Sequence, residues 1–246
     1  TEFGLFFTLD SGSKWLKLSG KAPTISFRDV TIHRREDDLV AASFGRGFFI
    51  VDDIAPLRKV SKDSLTQEAM LFPGRNALWY IEQHPLAFSP GGCQGDGYFR
   101  APIPEVGANF TYYLADSLKS LKAERQEREK PIAKKGGNNP FPSFESLTAE
   151  LQEEAPTIWL TVRNSDGTVV RRIKGPASKG FHRVNWNPRH PATDVAREAR
   201  GGRGANGFLA APGEYTVDLT MRVRGVTTQL VAPMPFTVEP LRSDSG

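Results

Sequence analysis

The chain has 246 residues, enough for one large domain or two of ordinary size. Its 32 basic and 28 acidic residues leave a net charge of +4, which suits solubility and argues against a nucleic-acid partner. No apolar run reaches the roughly 18 to 20 residues of a spanning helix, so no membrane span is expected. The single cysteine, Cys93, excludes an intrachain disulfide.

In chain order, strands are predicted at Leu5 to Leu9, Trp15 to Leu18, Ile25 to Ile32, Leu39 to Ser43 and Gly47 to Val51. Each is a short run rich in β-branched and aromatic residues. Turn chemistry separates them: Asp10-Ser11-Gly12-Ser13, Arg35 to Asp38, and Gly45-Arg46-Gly47. The first residues read as a strand with no leader before it, which predicts a chain that continues upstream. Residues 61–103 are broken by Pro73-Gly74, Ser89 to Gly92 and Gly95 to Gly97, and read as a connector anchored by Leu71, Phe72, Trp79, Tyr80 and Phe88.

Asn109 to Leu114 is the next strand. Asp116 to Lys135 then reads as a charged helix with a thin apolar stripe of Leu114, Leu118 and Leu121, ended by Pro131. A second short helix is expected around Leu147 and Leu151. Strands resume at Ile158 to Arg163, Thr168 to Ile173, His182 to Trp186, Glu214 to Met221, Thr227 to Val231 and Met234 to Val238. Asn164-Ser165-Asp166-Gly167 is a hairpin signal between the first two. Ile158, Leu160 and Val162 alternate with Trp159, Thr161 and Arg163, the pattern of a sheet with one buried face. The Gly/Arg-rich stretch from Arg189 to Ala211 reads as a loop.

Thr8-Leu9-Asp10-Ser11-Gly12-Ser13-Lys14-Trp15 resembles the Asp-box of BNR-repeat β-propellers, the family of sialidases and sortilin-type Vps10 domains. Asp10 would accept turn N–H groups, Gly12 would supply a backbone angle closed to other residues, and Trp15 would bury its ring at the hairpin base. Gly45-Arg46-Gly47 followed by Phe48 to Asp53 resembles the end of a last blade, with Asp52-Asp53 as a degenerate closing box. Asn164 to Arg171, Gly180 to Asn187 and Ala211 to Val217 together resemble the immunoglobulin-like domain of the flagellar hook-cap type, with Trp186 filling the core between sheets.

The fold class is therefore read as mainly β: a partial β-propeller (the last blade or two) plus an immunoglobulin-like β-sandwich with a short helical insertion. Residues 1–60 are assigned to the terminal blades, 61–103 to the connector, 104–240 to the sandwich with its insertion at about 115–155, and 241–246 to a tail. The resemblance implies a secreted, periplasmic or cell-surface bacterial protein. It implies remaining propeller blades as partners, with a glycan or protein ligand for the whole. This chain would be a non-catalytic spacer, docking or export portion. Two alternatives are a glycoside hydrolase whose acids lie on missing blades, and a sortilin-like binding propeller.

The residues themselves point to no catalytic centre, cofactor or metal. His33, His84, His182 and His190 lack ligand spacing. Ser43, Ser89 and Cys93 lack a neighbouring base, and the neighbours in Asp37-Asp38 and Asp52-Asp53 point to opposite faces. Arg197 to Gly204 reads as a solvated loop. The motif residues Asp10, Gly12, Trp15, Gly45, Arg46, Gly47 and Trp186 are expected to act structurally.

Overall fold

A computed structural model describes residues 2–18, 22–61, 64–72, 74–81, 105–193 and 206–241. The protein is mainly β. Its largest part consists of two sheets around one core. The first sheet joins β9 (Thr157–Asn164), β10 (Val169–Gly175), β14 (Gly213–Val223), β15 (Val226–Pro240) and β7 (Ala77–Trp79) in the order β10-β9-β14-β15-β7. The second joins β8 (Ala108–Leu114), β11 (Gly180–Trp186) and β6 (Ala69–Phe72) in the order β11-β8-β6. The larger sheet curls into a half-barrel, so that β10 approaches β11 at one side and β15 approaches β6 at the other.

Alternation builds the core. Ile158, Leu160 and Val162 of β9 are fully buried, and Tyr215, Val217 and Leu219 of β14 lie beside them. Phe110, Tyr112 and Leu114 of β8 and Trp186 of β11 close the core from the other sheet. Only every second residue of each strand turns inward, as a period of two requires. The Asn164 to Gly167 hairpin forms as expected: Gly167 takes φ +79° and the Thr168 N–H donates to Asn164 Oδ1 at 2.8 Å.

Two of the sheet strands come from the stretch read as a connector. β6 pairs with β8 in the register Leu71↔Tyr112, and β7 pairs parallel with the end of β15, Ala77↔Val238 to Trp79↔Pro240. The anchors Leu71 and Phe72 are 3% and 1% exposed. Trp79 Nε1 donates to the Ala210 carbonyl at 2.8 Å, and Phe88 lies outside the described residues. Runs of four and three residues carry no period of their own, and what makes them strands is pairing with partners distant in the chain.

The two strands expected at Thr227 to Val231 and Met234 to Val238 are one, β15. Irregular register in its pairing with β14 lets it run on through Pro233 and Pro235. The loop expected from Arg189 is paired at both ends, through β12 (Arg189–Pro191) and β13 (Asn206–Leu209). The tract from Arg197 to Gly204 between them lies outside the described residues.

The helices are α1 (Leu121–Lys134) and α2 (Phe144–Gln152), capped by the Ser120 and Ser143 hydroxyls. Pro131 does not end α1, which runs three residues further. It sits in the last turn of an exposed helix, where one missing N–H is tolerated and no packed neighbour resists a bend. Neither helix buries a residue, so the charged insertion is a solvated hairpin. Arg125 forks onto Glu150 at 2.6 and 2.9 Å and holds the two helices together.

The amino-terminal strands form two smaller sheets. β1 (Phe6–Thr8) and β2 (Trp15–Lys17) make a hairpin, and β3 (Phe27–His33), β4 (Asp38–Ser43) and β5 (Phe48–Val51) make a meander. All five match the predicted runs closely.

The paired position of β6 yields a stability test. Leu71→Ala empties a buried site and is expected to destabilise the protein by about 2–5 kcal/mol in denaturant unfolding, like Leu160→Ala. A change within about 0.5 kcal/mol would mean that residue 71 lies on a surface connector.

Candidate functional site

The Asp10 turn is built as its residue types require. Thr8 Oγ1 accepts the Gly12 N–H at 2.9 Å and donates to Asp10 Oδ1 at 2.9 Å, and Asp10 Oδ1 also accepts the Lys14 N–H at 2.8 Å. Gly12 sits at φ +94°, a region that disfavours side chains with a Cβ. Asp10 Oδ1 is turned onto its own loop, which suits a turn residue. Trp15 departs from expectation. It is 62% exposed, because β2 pairs only with β1 and nothing among the described residues lies over its ring.

Gly45 and Gly47, at φ +78° and +75°, reverse the chain between β4 and β5. Ser43 is bound into this turn, its N–H and hydroxyl both donating to the Gly47 carbonyl at 3.0 and 2.8 Å. Arg46 projects into solvent. Trp186 lies far from both turns in sequence and fills the two-sheet core. It is 1% exposed, its Nε1 donates to the Arg189 carbonyl at 3.1 Å, and its ring packs against Tyr215 and Phe236.

The densest group of charges gathers where the β3–β5 meander meets the two-sheet core. Glu36 and Asp37 occupy the β3–β4 turn, Asp38 opens β4, and Asp52 and Asp53 follow β5. Arg75, from the chain between β6 and β7, reaches Glu36 Oε2 at 2.6 Å, and Arg58 reaches Asp37 Oδ1 at 2.7 Å. Asp38 Oδ1 accepts the Asp53 N–H at 2.8 Å. Arg183 of β11 spreads its guanidinium over the Asp52 and Asp53 carbonyls at 2.9 and 2.7 Å. Arg183 lies three residues before Trp186 on one strand, so it points away from the core and toward the meander.

Sequence neighbours form no carboxylate dyad, but strand register does bring two acids together. The pair Leu39↔Val51, continued one step, sets Asp38 opposite Asp52. Partial burial pushes the Asp52 carboxyl above its ordinary range, and the nearby Asp38 charge adds to the rise against the pull of Arg183 and Arg75. No sequence motif announces this cluster. The one available signal is the odd position of Arg183 relative to Trp186.

His182 pairs with Tyr112 across β11 and β8, and its Nε2 lies against the Ser178 carbonyl at 2.5 Å. His190 stacks on Phe208. His33 ends β3, while His84, Ser89 and Cys93 lie outside the described residues. Among the described residues no group of three or more His, Cys, Asp or Glu side chains could hold a metal ion, and no helix is long and apolar enough to cross a membrane.

No protein-family model matches the chain, and no curated protein or solved structure matches it. The geometry is therefore the whole basis for a functional reading. What it offers is a set of folded turns and an arginine-clamped junction, in which Glu36 and Asp37 meet arginines, Asp38 meets backbone, and Asp53 Oδ2 is buried without a partner.

The raised Asp52 pKa makes the junction pH-sensitive in a defined sense. The carboxyl holds its proton more tightly in the fold than in the unfolded chain, so ionisation opposes folding. That penalty is absent below the ordinary Asp pKa near 3.9 and grows as pH rises through the folded value. Asp52→Asn is expected to raise the Tm at about pH 7 and to leave it unchanged at about pH 3. A lowered Tm at neutral pH would show the charge to be stabilising.

Proposed function

We propose that this chain is the non-catalytic carboxy-terminal portion of an exported bacterial BNR-type propeller protein. In this reading β1 to β5 belong to its terminal blades, and the two-sheet unit is an immunoglobulin-like spacer, docking or export module. The observation that carries the reading is an uncovered sheet. One face of the β3–β5 meander buries Ala41 completely and half-buries Leu39 and Phe49, with Phe27 packed edge-on to Phe49. The opposite face presents Phe48 at 75% and Ile50 at 59% exposure. Both outer strands, β3 and β5, pair only with β4 among the described residues.

Burying a side chain such as Phe48 or Ile50 is worth roughly 1.5–3 kcal/mol, and open sheet edges invite pairing. A face of this kind calls for another sheet against it, which a neighbouring blade supplies. Trp15 fits the same account: a ring that the motif would bury is left open on the side where a neighbour would stand. The Asp10 turn, with its full set of internal hydrogen bonds, supports kinship with Asp-box hairpins. Its form is that of a scaffold turn.

Limited proteolysis of the chain is expected to cut within residues 2–60 before it cuts β8 to β15, and the chain is expected to release no product from chromogenic glycosides. Digestion of the two-sheet unit ahead of the meander would remove the basis of the uncovered-sheet reading. Glycoside turnover abolished by Asp52→Asn would replace the scaffold role with an enzymatic one.

A further inference from the structure

The five-stranded sheet has a second face, opposite the core. Trp159, Thr161 and Arg163 of β9 lie on it, with Arg172 of β10 and Asp218, Thr220 and Arg222 of β14 alongside. Register sets Trp159 beside Thr220, and Thr161 between Arg172 and Asp218. Because the sheet curls, and because Pro191 of β12 stands at one side, these residues line a groove of about 790 Å³.

The groove has an excess of cations. Its lining includes Arg163, Arg171, Arg172 and Arg222 against one carboxylate, Asp218. Asp218 is 6% exposed and stands 3.4 Å from Arg163. Arg222 meets Glu154 at 2.8 Å, a pair in which both side chains are open to solvent. Arg172 has no partner among the described residues, and Arg171 Nη1 is shut off from solvent with no acceptor in reach. The cavity between α1 and α2, of about 500 Å³, is different. There Arg125 is engaged by Glu129 and Glu150, and Arg224 by Glu124.

We propose that this groove binds an acidic oligosaccharide, one with carboxylates on its sugar rings. Guanidinium groups match carboxylates in a planar two-point fashion, and Arg163, Arg172 and Arg222 on one face suit repeated charges on a ligand. Trp159, half-buried at one end of the β9 row, supplies the flat apolar surface that a sugar-ring face can cover. Asp218 and the Thr220 and Thr227 hydroxyls supply partners for ligand hydroxyl groups. A peptide strand is captured at a sheet edge by free backbone groups. Most of this surface is the face of β9 and β14, whose backbones are paired on both sides, so recognition runs through side chains.

The test is calorimetric titration of the full chain with a galacturonic-acid hexasaccharide, its fully methyl-esterified form and a glutamate hexapeptide. The hexauronate is expected to bind. Esterification, Arg172→Gln and Trp159→Phe should each weaken it by about tenfold or more, with the Tm of both variants unchanged. Absence of binding by the hexauronate overturns the proposal. So does equal binding of the glutamate peptide with no dependence on residue 159, which would make the groove a general cation patch.

Discussion

A β-sheet in water must cover its apolar face and occupy its edges, and the two halves of this protein meet that constraint differently. In the two-sheet unit, inward rows from β9 and β14 meet inward rows from β8 and β11, and the largest side chains are buried almost completely. The sheet edges also approach one another, since the larger sheet curls until β10 nears β11 and β15 nears β6. In the β3–β5 meander a small cluster around Leu5, Phe27 and Ala41 covers only part of one face, where Val30 and Ile32 stay exposed, and the other presents Phe48 and Ile50 to solvent. The contrast between a closed core and an open sheet organises everything else.

The junction between them is polar and specific. Arg183 and Arg75 cross from the two-sheet unit to the backbone and acids of the meander with charge-assisted hydrogen bonds. Such a joint fixes orientation through directed hydrogen bonds. It leaves the far face of the meander, with Phe48 and Ile50, directed outward. The same strand that gives Arg183 to the joint gives Trp186 to the core, so the two-sheet core and the orientation of the meander are specified together.

Much of this fold is legible in the residues. β9 and β14 announce themselves by strict alternation, the Asn164 and Gly45 turns by their glycines, and α1 and α2 by composition and leucine spacing. β6, β7, β12 and β13 were hidden because each is three or four residues long and owes its structure to non-local pairing. β15 was divided because prolines read as breaks, whereas irregular pairing lets the strand pass through them. Trp15 was placed inside because its motif predicts burial, but burial needs a neighbour as well as a ring. The acid–arginine junction and the arginine-lined groove were illegible because each assembles from strands far apart in the chain, with no spacing to mark it.

The meander is a sheet lacking a full cover, whereas the two-sheet unit buries its core within the described residues. Amide hydrogen exchange on the intact chain measures this directly, since local opening follows from how much apolar contact holds each strand. Amides of Val40 to Ala42 and Phe49 to Val51 are predicted to exchange at least about tenfold faster than those of Leu160 to Val162 and Val217 to Leu219. Uniform protection across both sets, lost in one cooperative step, would mean that the meander is as fully covered as the core and would contradict the account.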